Sequence, residues 1–174
     1  MPEQDPFSTI MSSIDTPLIV VTTGHETDGV REWGGCLVGF HAQSSIDSEH
    51  YCVWLSKANH TYRMALRAKH FAVHFLTDGV LELAEVFGTQ CSDETDKFAG
   101  LAVDTDETGV PLLRSAPNRI VLERIAALDD GGDHVCMTTR VVSAHSAGPF
   151  TPLRVSDAKD LEPGHPAEAR AVRP

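Results

Sequence analysis

Apolar residues cluster in short runs along the chain, and most runs read as strands. TPLIVVTT (16–23) is a β-branched run behind a proline and predicts a buried strand. GHETDG (24–29) then predicts a turn. WGGCLVGFHAQSSI (33–46) is apolar but interrupted by glycine, which predicts one strand with close backbone approach at Gly34, Gly35 and Gly39. HYCVWL (50–55) predicts another strand. The pattern then turns helical: Asn59 can cap a helix whose buried stripe is Met64, Ala65 and Ala68, with Tyr62 beside it.

HFAVHFL (70–76) alternates, with Phe71, Val73 and Phe75 on one face. LELAEVF (81–87) predicts a short helix, and Asp93, Glu94 and Asp96 open a second over ETDKFAG. RIVLERIAAL (119–128) and HVCMTTRVVSA (134–144) are long strands, and DDGGD between them is a strong hairpin signal. The strands do not alternate with helices as in βαβ units. The class expected is mainly β with short helices: six antiparallel strands in a closed or nearly closed barrel, helices outside. Residues 1–13 read as a lead, 14–150 as the domain, and 151–174 as a tail. From about Ser156 the tail is polar and unpatterned, expected to be mobile or ordered by packing on a partner.

Composition narrows the functional classes. The chain has 174 residues, 41% hydrophobic and 22% charged, with a formal net charge of −11. So acidic a chain is a poor match for nucleic acid or anionic lipid, both of which call for a basic patch. No apolar stretch approaches the roughly 20 residues of a membrane helix. The first residues, MPEQDPFSTIMSSID, lack the basic and apolar regions of a signal peptide, so the expectation is a cytoplasmic protein. Cys36, Cys52, Cys91 and Cys136 are far apart and form no CxxC, which predicts free thiols.

Three stretches could carry chemistry. SKANHT (56–61) places Ser56, Lys57, Asn59, His60 and Thr61 at a predicted helix start, where free N–H groups and the helix dipole favour an anion. It lacks GxxxxGK[ST], so no nucleotide hydrolysis is implied. By itself the hexapeptide is more readily a capped helix with a solvated lysine. WGGCLVGF lets backbone amides approach a flat ring against Leu37 and Val38; its plainer reading is a bulged strand. GGDH (131–134) sets Asp133 and His134 at a strand start after a flexible turn, where a histidine could donate to a ligand or move a proton; its plainer reading is a turn aspartate and an exposed histidine. His70 and His74 form HxxxH, but on a strand four residues span ~13 Å, too far to share an ion. No zinc spacing and no GxSxG elbow are present.

Taken in order, GGCLVGFHAQSSID, YCVWLSKANHTYRMA, FAVHFL, LAEVFG, DKFAG, GVPLL and GGDHVCMTTRVV resemble the flavin reductase-like family, over about residues 14–145. The resemblance implies a six-stranded Greek-key split barrel of the FMN-binding type. It implies a homodimer with the flavin at or near the interface. Carried over by position, Gly35, Cys36, Leu37 and Val38 run along the isoalloxazine, and Gln43, Ser44 and Ser45 along the next part of the ring or ribityl path. Ser56, Lys57, Asn59, His60 and Thr61 hold the phosphate. Phe87, Lys97 and Phe98 match positions near the flavin or its neighbouring helix, and His134 matches the histidine of the family's GDH motif. His74 stands where asparagine is common.

The activity so implied is hydride transfer from NADH or NADPH to FMN, with FAD as the other candidate flavin, supplying reduced flavin to a separate monooxygenase. His134 orients a ligand or relays a proton. Two other readings stay open: a flavoprotein with tightly held FMN that passes electrons to a protein or organic acceptor, and a barrel that binds flavin without turnover.

Overall fold

In the computed structural model, which describes residues 5–89 and 96–161, the long hairpin predicted around DDGGD is present. Strands β8 (Arg119–Leu128) and β9 (His134–His145) pair antiparallel. Gly131 sits in their connection at φ 94°, a conformation that costs glycine nothing. The other strands are β1 (Ile19–Thr27), β2 (Val30–Val38), β3 (His41–Ser45), β4 (His50–Ser56) and β5 (His70–Phe75), and the order across the sheet is β2-β1-β5-β8-β9-β4-β3. Short strands β6 (Val103–Thr105) and β7 (Pro111–Leu113) form a separate pair.

The main sheet thus has seven strands, not the six expected. The stretch 33–46 is not one strand: it breaks at Gly39–Phe40, and its halves pair at opposite edges of the sheet, β2 with β1 and β3 with β4. A two-residue step between opposite edges is possible only if the sheet curls until they meet. Trp54 N–H donates to Phe40 O (2.9 Å) at that junction. One core cluster draws on both sides of the curl: Ile19, Val21, Val38, Val53, Leu55, Phe71, Val73, Leu122, Val135 and Met137. The expected turn over 24–29 is also shorter, since β1 runs on to Thr27 and the reversal falls at Asp28–Gly29.

The LIVV run is apolar throughout because β1 is buried on both faces. Ile19 and Val21 face the inner core, while Val20 joins Leu18, Leu76, Leu83, Ala84, Phe87 and Leu153 in a second cluster. Its two buried threonines spend their hydroxyls on backbone: Thr22 on Pro111 O (2.7 Å) and Thr23 on His70 O (2.9 Å).

Helix α1 (Pro6–Ile14) lies in the stretch read as a plain lead, capped by Asp5, whose carboxylate accepts from Ser8 N–H. Helix α2 (His60–Ala65) is capped as expected: Asn59 Oδ1 accepts from Thr61 N–H at 2.9 Å. Helix α3 (Leu81–Thr89) matches the LELAEVF prediction and presses Leu83, Ala84 and Phe87 onto the sheet. The helix expected over ETDKFAG is a turn at residues 97–100, and Asp93 and Glu94 lie outside the described residues. Among the described residues no helix is long and apolar enough to cross a membrane.

The start of the tail is ordered on its own chain. Leu153 is buried, donates its N–H to Leu76 O (2.9 Å) and accepts from Leu18 N–H (2.7 Å). Ser156 donates from N–H and Oγ to the two carboxylate oxygens of Asp15, at 2.8 and 2.7 Å. The polarity of this segment satisfies neighbouring backbone and carboxylate groups rather than solvent alone.

Candidate active site

Strand register joins two of the candidate motifs. Ser56, the last residue of β4, pairs with His134, the first of β9. Lys57 N–H donates to Asp133 O (2.9 Å), and Lys57 Nζ reaches Asp129 Oδ1 (2.9 Å). SKANHT and DDGGDH are therefore two sides of one corner. The Lys57 hydrogen bond, joined by Gly131 N–H, draws the Asp129 carboxyl below its usual range.

A cavity of about 470 Å³ opens at this corner. Its floor is the end of β2, from Cys36 through Leu37 and Val38 to Gly39 and Phe40. Trp54, Ser56, Asn59 and His134 form one side. The other is built from Leu18, Gly88 and the segment Val155, Ala158, Lys159 and Leu161. The size falls in the ordinary range for small-ligand pockets, and apolar walls with a few polar groups are their usual composition.

His134 is the polar centre of the cavity. Its Nδ1 lies 2.6 Å from Asp133 Oδ1, and its ring meets Phe40 edge-on at 4.9 Å between centroids. A carboxylate only accepts, so Nδ1 carries the hydrogen and Nε2 is left for a ligand. That hydrogen bond in turn pulls the Asp133 carboxyl below its usual range.

The remaining predicted residues divide. Cys36, Leu37, Val38, Ser56, Asn59 and His134 line the cavity. Gly35 does not: a Cβ there would stand 2.6 Å from Phe87 Cε1, so the space at its α-carbon is filled by that phenyl ring. Phe87 and Phe98 pack edge to face at 5.4 Å behind the floor. Lys97 is buried with them and donates to Gly35 O (3.0 Å) and Phe87 O (3.3 Å). These four residues support the floor from behind, Phe87 from the helix beside it.

Gln43, Ser44 and Ser45 line a separate shallow groove with Ile46 and Asp47. His60 lies in another cleft with His25, Glu32, Arg63 and Arg67. Thr61 is fully buried, is not among the residues lining the cavity, and gives its N–H to the Asn59 cap. Phe40, Trp54, Gly88 and the 155–161 segment were missed. Trp54 was readable, since Val53 and Leu55 face inward and alternation turns Trp54 and Ser56 the other way. The tail segment carries no periodic signal.

HxxxH lies on β5, as expected. His74 is buried, accepts from Leu113 N–H at Nε2 (3.0 Å) and contacts Val20 O through Nδ1 (3.3 Å). Burial lowers its pKa to about 4, so the ring is neutral.

A curled antiparallel sheet with an apolar slot and a histidine–carboxylate pair at its rim defines a class of small-molecule-binding β proteins. The chain matches the flavin reductase like domain over residues 11–157 and belongs to that family. It is 29% identical over 132 residues to the reductase subunit HsaB of a flavin-dependent monooxygenase from Mycobacterium tuberculosis, an alignment covering 74% of this chain and 64% of that protein. The chain thus matches less than two thirds of the length of this relative.

Among solved structures, nitrilotriacetate monooxygenase component B from Mycobacterium thermoresistibile superposes with a TM-score of 0.72 at 22% identity, covering 85% of this chain and 78% of that one. The NADH:FAD oxidoreductase SgcE6 of Streptomyces globisporus gives 0.69 at 20% identity, covering 88% and 97%. At these identities the two establish the fold.

Proposed function

We propose that this chain is an NAD(P)H:flavin oxidoreductase whose flavin, FMN or FAD, lies in the cavity over Cys36–Val38. The observation that carries the reading is the convergence of an apolar floor with Ser56, Asn59 and His134 in one slot. A flavin bound there supplies a ring that accepts a hydride from a reduced nicotinamide. The floor and Trp54 exclude water from that ring, Ser56 and Asn59 offer polar contacts, and His134 holds or passes a proton at Nε2 while Asp133 fixes its tautomer.

The reduced flavin serves a separate monooxygenase, by analogy with the subunit named above. The working form is a cytoplasmic homodimer of the split-barrel type. Ile125, Leu128 and Val142, exposed on the β8–β9 hairpin, are apolar surface that a second copy would cover.

The test is a visible spectrum during FMN titration, then NADH with flavin in excess. Bleaching of the flavin band near roughly 450 nm with sustained NADH consumption supports the reading. Reduction of a flavin that is never released points to an electron-transfer flavoprotein. Binding without reduction points to a non-catalytic barrel. No binding of FMN or FAD removes the proposal.

A further inference from the structure

The junction SKANHT was expected to supply the positive charge for a phosphate, yet its lysine is committed elsewhere. Lys57 Nζ sits 2.9 Å from Asp129 Oδ1, and Lys57 is not among the residues that line the cavity. Its charge is largely cancelled there. The chain carries a net charge of −11, and Asp133 stands at the cavity rim, so an anionic ligand enters an unfavourable field unless a cation meets it locally.

One lysine or arginine among the described residues does line the cavity: Lys159. Its ammonium has no ion pair or hydrogen bond to any described residue. It belongs to the 155–161 segment, which is hydrogen-bonded at its start and packs Ala158 and Leu161 against the second core cluster. Arg154 Nη1 donates to Asp15 O (2.9 Å), Val155 N–H to Thr16 O (3.0 Å), and Ser156 twice to the Asp15 carboxylate. Ala158 O accepts from Leu161 N–H (3.0 Å), which closes a turn around Lys159. This cation is therefore carried to the cavity by an anchored strap.

We propose that Lys159 supplies the countercharge for the phosphate of the bound flavin nucleotide, with the C-terminal strap as the part of the fold that reads this group. The inference rests on the flavin reading of the cavity. FMN and riboflavin share ring and ribityl chain and differ by the phosphate, so the pair isolates the contact.

Affinities of the full-length chain for both ligands are measured by flavin fluorescence quenching, for the natural protein, Lys159→Ala, Lys159→Glu and Lys57→Ala. The expected result is about a tenfold loss of FMN affinity in Lys159→Ala, the size of a charge-assisted contact at a partly open site. The loss is larger in Lys159→Glu, and riboflavin affinity stays within about twofold in both. Lys159 is exposed, and unchanged thermal melting confirms that the variants fold. Equal losses for FMN and riboflavin, or none, overturn the proposal. An FMN-specific loss in Lys57→Ala without one in Lys159→Ala overturns it too and returns the phosphate to the helix junction. If the natural protein binds neither ligand, the flavin reading itself fails and takes this inference with it.

Discussion

At the scale of single residues, the two histidines best placed to matter do opposite things. His134 stands at a cavity wall with one nitrogen held by Asp133 and the other available. His134→Ala should lower turnover by about 10²-fold, the low end for a lost proton-handling group, while FMN affinity stays within about threefold. Stopped-flow reduction of bound flavin checks this, and lost binding with an unchanged rate per bound flavin would overturn the assigned role. His74 is sealed in the core and neutral. Its pKa falls from 6.5 to about 4 on folding, so the unfolded chain binds a proton that the folded chain refuses. Stability contributed by the neutral ring is complete above about pH 6.5 and drains away as pH drops toward 4, by roughly 3 kcal/mol at most. Urea unfolding from pH 7 to pH 4.5 should show this slope, and His74→Asn, which cannot titrate, should flatten it.

At the scale of elements, the floor of the cavity depends on what lies beneath it. Gly35 lets Phe87 of α3 press against β2, and Lys97 ties β2 to α3 through Gly35 O and Phe87 O. Gly35→Ala should cost about 1–3 kcal/mol, since Phe87 is buried against Phe98 and has nowhere to move. Lys97→Met should cost a similar amount by leaving two buried carbonyls without their donor. Denaturant titration checks both, and an unchanged midpoint in either would show that the support is dispensable.

Most elements were legible in the chain: each predicted long strand except 33–46 is found close to its expected place. The break at Gly39–Phe40 was not, because local apolar character says nothing about which neighbour a strand pairs with. The same limit explains the site. SKANHT and GGDH were readable as candidates, but their junction through Ser56↔His134 is a matter of register. Gly35 beside apolar residues looks alike in the sequence whether a cofactor or a phenyl ring fills the gap, and Lys97 was placed near the site by resemblance alone. Lys159 was invisible in a stretch whose order comes from hydrogen bonds to distant residues.

At the scale of the whole molecule, the two ends of the described chain are joined at Asp15. This residue closes α1 in a left-handed conformation and receives both donors of Ser156. Asp15→Ala should release the strap without unfolding the sheet. Trypsin cleavage after Lys159 should quicken several-fold and FMN affinity should fall, while the far-ultraviolet circular dichroism keeps its β signature. Unchanged cleavage would mean that the Leu153 bonds alone hold the segment.

The cysteines have a consequence for chemical durability. Cys36, Cys52 and Cys136 are buried, and burial lifts the thiols of Cys36 and Cys136 to about 11. Oxidants attack the thiolate, and near neutral pH almost none is present at these two sites. The proposed flavin reductase activity would set the chain beside hydrogen peroxide, the product of reduced flavin meeting dioxygen. Thiols kept protonated and out of reach at Cys36 and Cys136 would let such a reductase work in its own exhaust without being spoiled by it.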